Sequence, residues 1–260
     1  MDNLLFDSKR IANGYANDRP WLHKSVMEQL KTEFGNKIPF DNGLDIGCGA
    51  GLSTKALKLI CNKVTGTDIS AEMVDICKSQ YSTDTEFTFY TAKAEETKLP
   101  QVPYDIVTAA GVADWVDKDK FLENMKLVMA ENAPLIIYDF WISDKMLRNP
   151  DYTDWFQNKY LLKYPKPPRN ETGWEQKDIP NSFIFDKQIS CQMKYEFDIS
   201  SFIRFMMTQT NINIKIKSGC MTEEEVHNWM LETLTSIFPE QRQTLFFDGY
   251  IRIYIHSKKA

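Results

Sequence analysis

The chain has 260 residues, 43% hydrophobic and 26% charged, with a net charge of −5. Those proportions exclude a wholly disordered, collagen-like or coiled-coil protein, and the mildly acidic balance gives no electrostatic case for nucleic acid or an anionic membrane. A chain this long buries roughly 70–75% of its unfolded surface and needs no disulfide or metal staple.

The length suits one large domain, or one domain with an insertion. The opening stretch MDNLLFDSKR carries charges where a signal peptide needs an apolar run, and no apolar run approaches the ~18 residues of a membrane helix. Cys48, Cys61, Cys77, Cys191 and Cys220 are odd in number, with no C-x-x-C pair, and the only histidines are His23, His227 and His256. No zinc spacing is readable. Reduced thiols in a cytoplasmic, metal-free protein are the expectation, and the Asn170-Glu171-Thr172 glycosylation triplet then reads as chance.

Gly43 to Gly47 reads as a strand entering a glycine turn, after which Leu52, Ala56, Leu57 and Ile60 recur at helical spacing. Val64–Asp68 reads as a second strand, and Ser70 caps a helix with Met73, Ile76 and Cys77 inward. Phe87–Tyr90 and Tyr104–Thr108 are a third and a fourth strand. Asp117 caps the helix carrying Phe121, Met125 and Val128, and Leu135–Tyr138 is a fifth strand. Strands alternating with helices predict crossover units and a mostly parallel sheet covered on both faces. After Asp139 the pattern breaks. Residues 141–182 hold Trp141, Trp155, Trp174 and the stretch Tyr164-Pro165-Lys166-Pro167-Pro168-Arg169, whose prolines favour extended backbone. This insertion is expected at the sheet edge, as packing or as a lid; a polyproline ligand is a weaker reading of its prolines. Residues 183–195 read as a strand, and Asp198 starts a helix with Phe202, Phe205 and Met206 inward. Thr222 and Glu225 form a capping box before Val226, Trp229, Met230, Leu234 and Ile237. Leu245–His256 closes the chain as strand, with Ile251, Ile253 and Ile255 alternating.

The strongest chemical signal is Asp45-Ile46-Gly47-Cys48-Gly49-Ala50-Gly51. Glycines let the backbone turn tightly and approach a ligand with no Cβ in the way. The spacing is G-x-G-x-G, and Leu52 stands in place of the third glycine of a dinucleotide fingerprint. With an acidic residue two positions before the first glycine, it is the spacing found in S-adenosylmethionine binding. Asp68 ends the second strand 17 positions after the last glycine, where a carboxylate accepts both ribose hydroxyls of an adenosine ligand. Ala94-Glu95, before Leu99-Pro100, places an acid for the adenine amino group. Thr108 to Trp115 carries small residues, among them Ala110 and Gly111, at a strand's carboxyl end, where open α/β sheets bind ligands.

These motifs, in this order and spacing over about residues 40–140, resemble class I S-adenosylmethionine-dependent methyltransferases. Within them the chain is most similar to the group with ubiquinone-biosynthesis and trans-aconitate-type enzymes. Tyr15-Ala16-Asn17-Asp18-Arg19-Pro20 resembles the N-terminal motif of the trans-aconitate type, and the stretch from Ser201 to Asn211 resembles that group's second half more loosely. The resemblance implies a doubly wound, seven-stranded, mostly parallel Rossmann-like sheet with an antiparallel last strand, in a single domain over 1–260. Residues 1–35 and 141–182 then cover the active site. It implies a cofactor site from Tyr15, Arg19, Asp45, Gly47, Cys48, Gly49, Gly51, Asp68, Ile69, Met73, Ala94, Glu95, Ala110 and Gly111. Asp114, Trp115, Tyr138, Asp139, Trp141 and Arg204 are the substrate side. Asp114 stands where that group often has His, which suits a base on a hydroxyl or a cationic acceptor and disfavours a carboxylate. The expected reaction is in-line transfer from S-adenosyl-L-methionine, leaving S-adenosyl-L-homocysteine, to a small molecule, with no metal and no assigned catalytic residue; His23 is a base by chemistry only. The protein is expected as a monomer or homodimer. A nicotinamide-dependent oxidoreductase and a non-catalytic S-adenosylmethionine-binding module remain alternatives.

Overall fold

Leu44–Ile46, Ile106–Ala109 and Leu135–Tyr138 are buried residue after residue, so each strand needs cover on both faces. They form the centre of a seven-stranded sheet in a computed structural model that describes residues 9–96, 99, 103–167 and 173–257. Pro100, Pro168-Arg169 and the Asn170-Glu171-Thr172 triplet lie outside those residues.

The elements in chain order are α1 (Lys9–Asn17), α2 (His23–Phe34), β1 (Phe40–Ile46), α3 (Leu52–Leu57), β2 (Cys61–Asp68), α4 (Ala71–Gln80), β3 (Phe87–Thr91), β4 (Ile106–Ala110), α5 (Lys118–Val128) and β5 (Pro134–Met146). A helical run follows: α6 (Asp151–Asp154), a π-helical segment (Trp155–Tyr160) and α7 (Leu161–Lys163). Then come β6 (Phe183–Phe197), α8 (Ile199–Met207), α9 (Thr210–Lys217), α10 (Glu223–Leu234) and β7 (Gln243–His256). The strand order is β3-β2-β1-β4-β5-β7-β6. The first five strands pair in parallel, and β7 runs antiparallel between β5 and β6. The fold is thus the doubly wound, mostly parallel, Rossmann-like sheet that the crossover pattern predicts.

Alternate residues serve opposite faces. Ile106, Ile136 and Tyr138 pack with α2, α3, α8, α10 and the 151–163 run, whereas Val107, Leu135 and Ile137 pack with Phe121, Leu122 and Met125 of α5. The predicted caps are present. Ser70, Asp117 and Asp198 accept from the backbone N–H three residues on, and Thr222 and Glu225 complete a capping box.

Two expectations change. The fifth strand runs on to Met146, because β7 supplies a ladder partner from Pro134 to Ile142 and, past a bulge, at Met146. The insertion is helical where extended backbone was expected. Tyr152, Trp155, Phe156, Tyr160 and Tyr164 recur at helical spacing and enter the core beside Phe202 and Trp229. Its prolines flank the helix: Pro150 sits at the N-cap and Pro165 follows Tyr164. A proline at a helix start loses no intrahelical bond.

Candidate functional site

Asp45 is fully buried at the end of β1. Ser53 and Thr54 donate to its Oδ2 at 2.6 and 2.7 Å, and Thr108 donates to Oδ1 at 2.9 Å. One carboxyl group thus ties β1 to α3 and β4. Burial pushes its pKa up to about 6 against the opposing pull of those hydroxyls.

The three glycines of the turn do different work. All have positive φ, at +68°, +52° and +89° for Gly47, Gly49 and Gly51. A Cβ on Gly47 would meet Val112 Cγ2 at 2.4 Å, and one on Gly51 would meet Cys77 Sγ at 3.1 Å, so those two answer to packing. A Cβ on Gly49 would meet no protein atom within 4 Å, and Gly49 lines a cavity.

Asp68, at the end of β2, fixes this turn. Its Oδ2 accepts from Gly49 N–H at 2.8 Å and its Oδ1 from Ser70 N–H at 2.9 Å. Burial raises its pKa, and the two N–H groups work against that rise. Each carboxylate oxygen keeps a second lone pair, enough for the two hydroxyls of a diol. On the neighbouring loop Glu95 accepts from Asp117 N–H at 3.0 Å, and Asn124 donates to Ala94 O at 2.8 Å, so α5 holds Ala94-Glu95 in place.

The cavity, about 630 Å³, opens at the carboxyl ends of β1 to β4 and along Tyr138–Ile142 of β5. One end is lined by Gly47, Gly49, Asp68, Ile69, Met73, Ala94 and Glu95; Ala110, Gly111 and Trp115 lie between; Tyr138, Asp139, Phe140, Trp141, Ile142, Phe205 and Phe247 form an aromatic end. Tyr15, Arg19 and His23 from the N-terminal region close it against Gln209 and Thr210. The Arg19 guanidinium lies 3.7 Å over the Tyr15 ring, and its Nε donates to Thr208 Oγ1 at 3.2 Å. Arg10 pairs with Glu223 at 2.8 Å, and Arg204 with Asp18 at 3.0 Å, so α1 is strapped to α8–α10.

Most residues singled out in the sequence come together here, with four kinds of exception. Asp45, Cys48 and Gly51 lie behind the cavity wall as supports; Cys48 and Cys77 are buried thiols that both donate to Gly49 O, at 3.6 and 3.3 Å. Arg204 is outside the wall because Asp18 holds it at the α1 junction. Asp114 is outside too: Trp115 N–H donates to Val112 O at 2.9 Å, and that turn brings Trp115, not the acid, to the cavity. Among the described residues of 143–182 none lines the cavity, since that segment's aromatic side chains are spent in the core. Sequence reasoning passed over Phe140, Phe205, Gln209, Thr210 and Phe247, and gave His23 no place in the site. His23 forms part of the wall, and its Nδ1 is 2.9 Å from the Tyr138 hydroxyl. Burial, with the Arg19 charge, holds the imidazole pKa down at about 3. No His/Cys/Asp/Glu cluster fit for a metal ion, and no helix long and apolar enough to cross a membrane, occurs among the described residues.

Residues 44–137 match the family described as a methyltransferase domain. A candidate methyltransferase from Dictyostelium discoideum is 26% identical over 220 residues, covering 82% of this chain and 81% of its own. In fold, the chain resembles a candidate type II methyltransferase from Anaeromyxobacter dehalogenans, with a TM-score of 0.67 and 18% identity over 90% of this chain and 95% of that one. It also resembles the YcgJ protein of Bacillus subtilis, with a TM-score of 0.55 and 17% identity over 90% and 99%. With that domain on this Rossmann-like sheet, the chain is a methyltransferase enzyme with S-adenosylmethionine as its cofactor.

Proposed function

We propose that the cavity holds S-adenosylmethionine at its Gly49–Asp68–Glu95 end and a small-molecule methyl acceptor at its aromatic end. Gly49 carries this reading: a backbone position with no Cβ and nothing opposite it is space kept for a ligand, in the cavity that also presents Asp68 and Glu95. When bound, S-adenosylmethionine supplies a methyl group on a sulfonium that is intrinsically reactive. Asp68 accepts the ribose hydroxyls, and Glu95 accepts from the adenine amino group. Tyr15 and Arg19 hold the amino-acid end, where a guanidinium pairs with a carboxylate. Gly47, Ile69, Met73, Ala94, Ala110 and Gly111 shape the walls, with Asp45, Cys48 and Gly51 as supports behind them. Trp115, Tyr138, Asp139 and Trp141 orient the acceptor and exclude water. Proximity and orientation of this kind supply ~7–11 kcal/mol of the barrier.

The same reading makes the chain one catalytic domain, nearest to the ubiquinone-biosynthesis and trans-aconitate group, acting in the cytoplasm as a monomer or homodimer. The N-terminal helices and the Asp139–Ile142 stretch of β5 serve as the cover. Five free cysteines suit a reducing compartment.

The test is a cofactor-consumption screen over metabolite pools, with mass detection of a product heavier by one methylene. Turnover of a small metabolite supports the reading. Activity on protein or nucleic acid alone refutes it. Trp115→Ala should lower turnover on the acceptor at least tenfold and change S-adenosylhomocysteine affinity less than threefold. Trp115 lines the cavity without entering a core cluster, so equal losses in melting temperature, affinity and turnover would remove it from the acceptor side.

A further inference from the structure

At the aromatic end of the cavity the polar contact between His23 and Tyr138 stands among aromatic rings, with Asp139 and Arg19 lining the same cavity. The imidazole meets the Phe140 ring edge-on at 4.9 Å between centroids and the Tyr138 ring at 5.7 Å. Phe205 and Phe247 line the same end.

The direction of that hydrogen bond follows from counting protons. Tyr138 is 1% exposed, and among the described residues its hydroxyl has one hydrogen-bond partner, His23 Nδ1. If Nδ1 carried the proton, the phenol oxygen would accept it. The phenol's own proton would then be buried without an acceptor, an arrangement folded proteins avoid. Burial and the Asp45 and Asp139 charges keep the phenol protonated, pushing its pKa well up, while the imidazole stays neutral. Tyr138 therefore donates to Nδ1, and the proton of the neutral ring sits on Nε2. His23 forms part of the cavity wall, and Nε2 has no protein partner among the described residues.

We infer that Tyr138 is a positioning residue that holds His23 as the Nε2–H tautomer, so that the acceptor end reads an oxygen lone pair on an otherwise apolar, ring-sized molecule. A ring nitrogen that already carries a proton donates and does not accept. Ligands whose polar end only donates, such as a protonated amine, are left unpaired at His23. This specificity rests on the proposed methyl transfer to a small molecule.

The experiment is nitrogen-15 NMR of the full chain labelled at histidine, at neutral pH with saturating S-adenosylhomocysteine. His23→Gln identifies the resonance by its loss. The wild type should show the Nε2–H pattern at His23, and Tyr138→Phe should convert it to a mixture of tautomers. Acetophenone and benzylammonium share a ring, but the first polar group only accepts and the second only donates. Acetophenone should shift the His23 Nε2 signal and benzylammonium should leave it in place. An Nδ1–H or doubly protonated His23, a Tyr138→Phe spectrum identical to wild type, or a response to benzylammonium and not to acetophenone would overturn the inference. Failure of S-adenosylhomocysteine to bind, measured by calorimetry on the same sample, would instead overturn the reading beneath it. Should Tyr138→Phe not fold, the wild-type tautomer and the two probes still decide.

Discussion

Asp68 has two tasks at once: it accepts from Gly49 and Ser70 N–H, and it faces the cavity. Asp68→Ala should weaken S-adenosylhomocysteine binding roughly 10–100-fold, about 1.5–3 kcal/mol by calorimetry; unchanged affinity in a folded variant would take Asp68 out of the site. Its raised pKa adds a sign. Protonation removes an acceptor, so affinity should fall as the pH drops through the carboxylate range. Gly49→Val should abolish binding at little cost to the melting temperature beyond the strain of its positive φ, because no protein atom opposes the new side chain. Asp45 behaves differently. Its folded pKa, about 6, lies above the unfolded carboxylate value, so the site's contribution to stability is full below about pH 4 and is lost as the pH rises through about 6. In paired thermal melts the gap between wild type and Asp45→Asn should therefore move in favour of Asn by up to ~3 kcal/mol between those limits. A gap independent of pH would contradict the assignment. The glycine spacing and Asp68 were legible in the sequence because strand, turn and acid are local. The different jobs of Gly47, Gly49 and Gly51 were not, because Val112 and Cys77, which decide them, arrive from other elements. His23 was hidden for the same reason: its partner Tyr138 lies 115 positions away.

At the level of elements, caps were readable and cover was not. Ser70, Asp117, Asp198 and the Thr222–Glu225 box announce helix starts through contacts three residues long. The extension of β5 to Met146 depends on β7, about a hundred residues later, and periodicity within β5 cannot report it. The helical run at 151–163 was legible in its aromatic spacing, but the flanking prolines drew the reading to extended chain. The N-terminal side of the cavity is lined from α1 and the start of α2, which Arg10, Asp18 and Arg19 fasten to the α8–α10 region. Ile11 and Ala12 also pack against Ala50 and Met73, behind the glycine turn. Removing residues 1–20 should thus lower S-adenosylhomocysteine affinity at least tenfold, while far-ultraviolet circular dichroism keeps the signature of the sheet and remaining helices. A truncated chain that binds as tightly as the whole would show that α1 is no part of the site.

Across the whole molecule, one feature of connectivity places the chemistry. The chain leaves β1 toward β2 on one side and returns to β4 on the other, so a crevice opens at the carboxyl ends of the two central strands. Glycine turn, Asp68 and Glu95 are brought to one side of that crevice by the parallel half of the sheet. The antiparallel half, β7 and β6, extends β5 and brings Phe247, and α8 that follows β6 brings Phe205, to the other. The two ends of the cavity, proposed for donor and acceptor, are therefore built from separate stretches of sequence and meet only in the fold. A crystal structure of the full chain with S-adenosylhomocysteine tests this division most directly. The ribose should lie against Asp68, the adenine beside Glu95, and the sulfur should face Tyr138 to Trp141. S-adenosylhomocysteine bound outside this cavity, or with its sulfur turned away from the aromatic end, would contradict the account.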